Sequence, residues 1–151
     1  MKLLALVSLV ALLAVGAASA ATPTQYRAKV NGICRGYAPM GKILDAQMTK
    51  AQAANDYVAW GVAVRKALLL NLAQSSHVEA VPVPASLKTK IAPILARMKT
   101  VDGHSRAALA DSRAGKTKAL VSELLTIGEL GAPLKKLLDA AGLKSCSWNQ
   151  G

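Results

Sequence analysis

Between Leu87 and Ala108 this 151-residue chain repeats one rhythm. Leu87, Ile91, Ile94, Met98, Val101, Ser105 and Ala108 follow one another at alternating steps of four and three. The same rhythm returns in Leu120, Leu124, Ile127, Gly131, Leu134, Leu138 and Ala141. An α-helix turns once every 3.6 residues, so these steps keep every member on one face, whereas a half-buried strand would alternate with period two. Two long helices with one apolar stripe each must bury those stripes against other elements, and helix packed on helix is the simplest architecture that does so.

Two earlier segments extend the pattern. From about Thr24 to Lys50, the residues Tyr26, Val30, Ile33, Tyr37, Met40, Leu44 and Met48 recur at steps of three and four. A second segment starts at Asn55, read as an N-cap, with Asp56 favourably placed for the helix dipole. Its face holds Tyr57, Gly61, Val64, Leu68 and Leu72, widened by Trp60 and Leu69, and it fades through Ser75, Ser76 and the loop residue His77. The sequence Val81-Pro82-Val83-Pro84 favours an extended path and divides the chain into two helical hairpins. Gly115 suits a cap or turn, and Gly142 followed by Leu143 suits a Schellman motif with its apolar fold-back. The expected helices are about 24–50, 55–79, 85–113 and 117–141, each roughly 36–44 Å long at 1.5 Å per residue. Similar lengths and short connections predict an all-α, up-down-up-down four-helix bundle.

An Ala-Pro pair followed by an apolar residue occurs three times, at Pro39, Pro93 and Pro133. A proline that starts a helix wants a capping residue before it, but Ala38, Ala92 and Ala132 are poor caps. The apolar steps also run straight through each proline. The three prolines are therefore expected inside bent, continuous helices that wrap a common core, each freeing the carbonyl four residues earlier, on Arg35, Thr89 and Glu129. The Pro-to-Pro spacings of 54 and 40 give no fixed repeat.

The first twenty residues, MKLLALVSLVALLAVGAASA, read as a secretory signal peptide. Lys2 precedes a short apolar core, and Ala18-Ser19-Ala20 forms a small-x-small cleavage pattern. Cleavage near Ala20 would leave residues 21–151 as one domain, secreted or extracytoplasmic. The twin-arginine signal is absent, and no cysteine near the cleavage point offers lipid attachment. The two cysteines, Cys34 and Cys146, both fall in the exported part. An even count in an oxidising compartment favours a disulfide; two free thiols or a metal pair are the alternatives. Isolated cysteines without nearby His or Cys do not make a zinc site. In the expected bundle, Cys34 lies about three turns into the first helix and Cys146 just past the last, so a short tail reaching back lets them meet.

No catalytic constellation is legible. Asp102-Gly103-His104-Ser105 contains the residue types of a hydrolase triad, but neighbours two apart on a helix do not face each other, so the run is read as a polar helix face. No Glu-x-x-His pair and no phosphate-binding glycine loop occurs. Met40, Met48 and Met98 read as core filler. Tyr26, Tyr37 and Tyr57 qualify as haem ligands by residue type alone. No catalytic residue, cofactor or metal ligand is assigned, and the chain is expected not to be an enzyme.

Charge is the most informative surface property. Without Lys2 the chain carries 18 Lys and Arg against 8 Asp and Glu, a net charge of +10. Such a field attracts anionic surfaces. In an exported protein these are anionic cell-wall polymers or a membrane surface. Nucleic acid is not expected, because few aromatics interleave with the cations and no binding motif occurs. Lys50, Arg113, Lys116 and Lys118 would share one end of the bundle and are the candidate anionic-surface contacts. The sequence names no protein partner.

YRAKVNGIC places Cys34 in the first helix, AVPVPASL breaks the chain in its middle, and LDAAGLKSC ends at Cys146. This combination resembles a broad group of small, Ala-rich, secreted helical proteins of high-GC Gram-positive bacteria that have no established function. The resemblance implies a Cys34–Cys146 disulfide and transfers no catalytic residue. Some of the group are lipoproteins, an anchoring this chain lacks the cysteine for. The expectation is a secreted, non-enzymatic, disulfide-stapled bundle that binds at the cell envelope through a basic surface. The alternative is a carrier or sensor holding a small apolar ligand or haem inside the bundle.

Overall fold

The computed structural model describes residues 21–147, so the signal-peptide reading of residues 1–20 lies outside the described residues. Four helices form the fold: α1 Pro23–Ala53, α2 Tyr57–Glu79, α3 Lys88–Arg113 and α4 Thr117–Ala141. Short 3-10 turns precede α3, at Ala85–Leu87, and follow α4, at Lys144–Ser147. The chain is an all-α four-helix bundle with a Cys34–Cys146 disulfide, Cα to Cα 4.8 Å.

Local signals explain each boundary. Thr22 opens α1 with a capping box: its hydroxyl accepts the Gln25 N–H at 3.2 Å, while its own N–H donates to Gln25 Oε1 at 2.8 Å. Pro23 takes the first helical position, where its missing N–H costs nothing. At the other end of α1 the expected cap moves by one residue. Asn55 adopts a left-handed conformation, φ 54°, and the Asp56 N–H returns to the Ala51 carbonyl at 2.9 Å. This is a Schellman closure of α1. Asp56, not Asn55, then caps α2, its Oδ1 accepting the Ala59 N–H at 2.9 Å. Gly115 (φ 70°) makes the equivalent turn between α3 and α4, with the Lys116 N–H donating to the Asp111 carbonyl at 2.9 Å. His77 is not in a loop: α2 runs on to Glu79, and His77 lies in its last turn.

Pro39, Pro93 and Pro133 each lie inside an uninterrupted helix, and all three are exposed. Arg35, Thr89 and Glu129, whose carbonyls those prolines free, are exposed as well. Water can therefore take the hydrogen bonds the prolines remove, which a buried site could not offer.

The helices pair chiefly as α1 on α2 and α3 on α4, with α2 against α3 joining the hairpins. The larger core cluster lies toward the disulfide and includes Tyr26, Val30, Cys34, Ile91, Ile94, Leu138 and Leu143. The smaller one, Val64, Leu68, Ala108, Leu109 and Leu120, lies toward the α1–α2 and α3–α4 turns. Between α1 and α4 the contact runs largely through the terminal 3-10 turn. Arg27 Nε donates to the Ala141 carbonyl at 2.8 Å and Asn31 Nδ2 to the Gly142 carbonyl at 2.9 Å, while Asn31 Oδ1 accepts the Ser145 N–H at 3.0 Å. Side chains one turn apart on α1 thus cap the carbonyls that α4 leaves open. Gly142 (φ 78°) closes α4, with the Leu143 N–H returning to the Leu138 carbonyl at 2.8 Å and the Leu143 side chain buried.

Two glycine substitutions separate backbone conformation from packing. A Cβ at Gly115 meets open space, so Gly115→Ala should lose about 1–2 kcal/mol, the left-handed penalty alone. A Cβ at Gly142 meets Arg27 Cδ at 3.1 Å, so Gly142→Ala should lose more, because the Arg27–Ala141 hydrogen bond goes with it. Denaturant unfolding of the two oxidised variants should rank them in that order.

Candidate functional site

The far end of the bundle, carrying both hairpin turns, holds the four cations singled out above. Lys50 lies in the last turn of α1, Arg113 ends α3, Lys116 precedes α4 and Lys118 is in its first turn; all are exposed. α4 begins without a side-chain cap and without an acidic residue in its first turn. Its N-terminal partial positive charge and the Lys116 and Lys118 ammonium groups therefore add rather than cancel.

These cations do not form one cluster. Lys116 and Lys118 border a shallow depression with Thr117, Ala119 and Ser122. Lys116 also lines a cleft of about 420 Å³ whose other wall is Tyr57, Trp60 and Gly61 of α2. Lys50 lines a different cleft, also about 420 Å³, between α1 and α2, where Asp56 faces it among Gln47, Ala51, Ala54, Ala59, Val62 and Ala63. The first turns of α2 separate the two clefts.

A small, partly open space of about 50 Å³ lies beside the disulfide, lined by Cys34, Cys146, Gln74, Ser75, Met98 and neighbouring residues. Dry engineered cavities that bind benzene are near 150 Å³, so this space suits water and not an apolar ring or a haem.

The Asp102–Ser105 run behaves differently from a polar helix face. Asp102 and Ser105 are both buried, whereas Gly103 is exposed. His104 donates across to α4, Nδ1 to Glu123 Oε2 at 2.6 Å. The run's three polar side chains thus part company, and no relay among them forms. Burial pushes the Asp102 carboxyl above the usual carboxylate range; the charge of Glu79 pushes the same way, while a Ser75 hydrogen bond and the charge of Arg106 oppose it. Burial also raises the Tyr26 phenol, whose hydroxyl has no hydrogen-bond partner. Among the described residues no group of three or more His, Cys, Asp or Glu could hold a metal ion. Tyr37 pairs with His77 instead, Oη to Nδ1 at 2.7 Å.

Several residues expected in the core face water. Met40, Tyr57 and Leu69 are exposed, together with Ile43, Val58 and Val62, which the apolar stripes had not included. α2 is apolar nearly all round, so its periodicity does not reveal which side is buried. A helical wheel carries the missing signal: Val58, Val62 and Leu69, at steps of four and seven, share one flank, on average about 120° round the helix from Val64 and Leu68. Comparison with known proteins yields no matching family model, no matching curated protein and no matching solved structure.

Two core predictions follow from the buried polar groups. A carboxyl with a raised folded pKa holds its proton more tightly in the native state, so its support for folding is greatest in acid and is lost as pH rises through that raised value. Asp102→Asn should therefore be more stable than the parent at neutral pH, with the gap in melting temperature closing as the pH falls into the carboxylate range. Tyr26→Phe removes a buried, unpartnered hydroxyl and should gain about 1 kcal/mol in urea unfolding.

Proposed function

We propose that this protein is exported and non-enzymatic, and that it binds anionic material of the cell envelope through its cation-rich surface. The observation that carries the reading is the excess of cations, 18 Lys and Arg against 8 Asp and Glu once Lys2 is set aside, none of the cations buried, with the uncapped, basic start of α4 at its focus. The disulfide fits an oxidising, extracytoplasmic compartment. The leader-like residues 1–20 supply a route there. No helix among the described residues is long and apolar enough to cross a membrane, so attachment from outside is the mode of contact this reading requires.

The contacts assigned are Lys50, Arg113, Lys116 and Lys118. Because Lys50 and Lys116 line separate clefts and Lys118 a shallow depression, the set suits an extended polyanion or surface better than a single small anion. Attraction of this kind is long-ranged at low ionic strength and screened within about 10 Å at 0.1 M salt.

Retention of the oxidised chain on immobilised polyphosphate and on phosphatidylglycerol vesicles tests the reading. Binding should be strong at low salt and fall as salt rises, and neutralising the four cations to Gln should weaken it about fivefold per residue near the surface. Recovery of the parent in the unbound fraction at low salt, on both supports, would sink the proposal.

A further inference from the structure

The outer face of the α1–α2 hairpin carries apolar side chains that the bundle leaves in water. On α2, Val58 is 80 % and Leu69 51 % exposed, with Val62 between them. On α1, Ile43 is 51 % exposed and Met40 lies one turn away. The register of the hairpin brings the two sets together. Cys34 meets Gln74 at 3.4 Å, Tyr37 meets His77 at 2.7 Å, and Lys50 and Ala51 share a cleft with Val62 and Ala63. Counting antiparallel from these pairs places Ile43 beside Leu69 and Met40 beyond it, so Val58, Val62, Leu69, Ile43 and Met40 make one strip.

Cations flank that strip: Arg65 and Lys66 on α2 and Lys50 on α1, while the acidic residues of α2 stand at its two ends, Asp56 at the cap, in the cleft with Lys50 and Val62, and Glu79 in the last turn. Asp45 stands two positions from Ile43 and Lys42 two from Met40, so these two, three apart, share the opposite flank of α1. An aliphatic stripe bordered by Lys and Arg is the pattern of helices that lie in the plane of a bilayer, their apolar face at the headgroup–acyl boundary.

We propose that this strip docks on an anionic lipid bilayer, α1 and α2 lying along the surface, with Val58, Val62, Leu69, Ile43 and Met40 entering the interface and Lys50, Arg65 and Lys66 meeting lipid phosphates. The inference rests on the envelope-binding reading and names lipid as its target. Charge argues against a second copy as the occupant: a two-fold contact through this face would set Arg65 and Lys66 against themselves. The strip has no exposed aromatic ring to anchor a protein partner, and a bilayer demands no shape complementarity.

The test uses the oxidised chain from Ala21 onward, which holds every described element and omits the apolar leader. Its triple variant Val58→Gln, Ile43→Gln, Leu69→Gln changes only exposed positions, and its melting temperature verifies that it folds. Both are measured on phosphatidylglycerol vesicles, on phosphatidylcholine vesicles and on soluble polyphosphate. The proposal expects binding to phosphatidylglycerol over phosphatidylcholine, a loss on the order of tenfold or more for the triple variant on vesicles, and unchanged polyphosphate binding. Equal vesicle binding by parent and triple variant overturns the strip while leaving the basic surface standing. Equal parent binding to both lipids overturns the anionic target. A parent that binds neither vesicles nor polyphosphate removes the envelope reading and this inference together. A parent that dimerises through the strip and ignores vesicles makes the occupant a second copy and overturns it too. Should the triple variant unfold, Leu69→Gln alone is read by the same criteria.

Discussion

The bundle depends on the clasp between α1 and the end of α4. Everything else in the fold is a hairpin or a contact between hairpins, but α1 and α4 meet largely through the terminal turn. There Cys34 and Cys146 join covalently across 112 positions, and Arg27 and Asn31 satisfy carbonyls that the helix end would otherwise leave to water. In the chain-entropy account, a loop of that length restricts the unfolded chain by about 4–5 kcal/mol. The polar contacts set the register at which that restriction applies: Asn31 both donates to Gly142 and accepts from Ser145, so the turn can sit in one place only.

The clasp also divides the molecule energetically. Near it lies the larger cluster with Tyr26, Ile91, Ile94 and Leu143. Toward the hairpin turns the core narrows to Val64, Leu68, Ala108, Leu109 and Leu120, with Trp60 and Met48 half-buried beside it. Local opening concentrates where few apolar contacts oppose it. The end that carries Lys50, Arg113, Lys116 and Lys118 is thus the less tightly packed one, and the α1–α2 outer face runs back from it toward the clasp. Contact with an extended surface asks only for presented side chains, and the rigid half of the fold is left to hold the helices in order.

Helix number, order and approximate limits were legible because three segments carry an uninterrupted stripe and because glycine and paired prolines mark the breaks. Pro39, Pro93 and Pro133 were placed inside helices by the same stripes together with the poor caps before them. The failures have one origin. Periodicity identifies a face and not its neighbour. In α2, where nearly every side is apolar, it could not tell Leu68, which is buried, from Leu69, which is not. Asp102 misled for the complementary reason: a lone polar residue reads as solvent-facing until the packing of α2 against α3 closes over it. Asn55 and Asp56 are each good caps, and only the closure of α1 decides that the first turns left-handed while the second begins α2. The role of Arg27 and Asn31 has no sequence signal, since it depends on where the terminal turn lands. For the candidate site, the residue types at the basic end were evident, but the placing of Lys50 and Lys116 in separate clefts is a tertiary fact.

The position of Cys146, beyond all four helices, sets an order of events. A polypeptide emerges from the ribosome, or crosses a membrane leader first, with Cys34 long before its partner. Through that interval the first helix has no covalent tie, and Cys34 is a thiol open to any other thiol it meets. The staple cannot act on the first hairpin alone; it can form only once Cys146, past the last helix, is present. Oxidation is therefore a checkpoint on completed chains: one broken off before the terminal turn retains four helices' worth of apolar stripe but never acquires the bond that closes the ring.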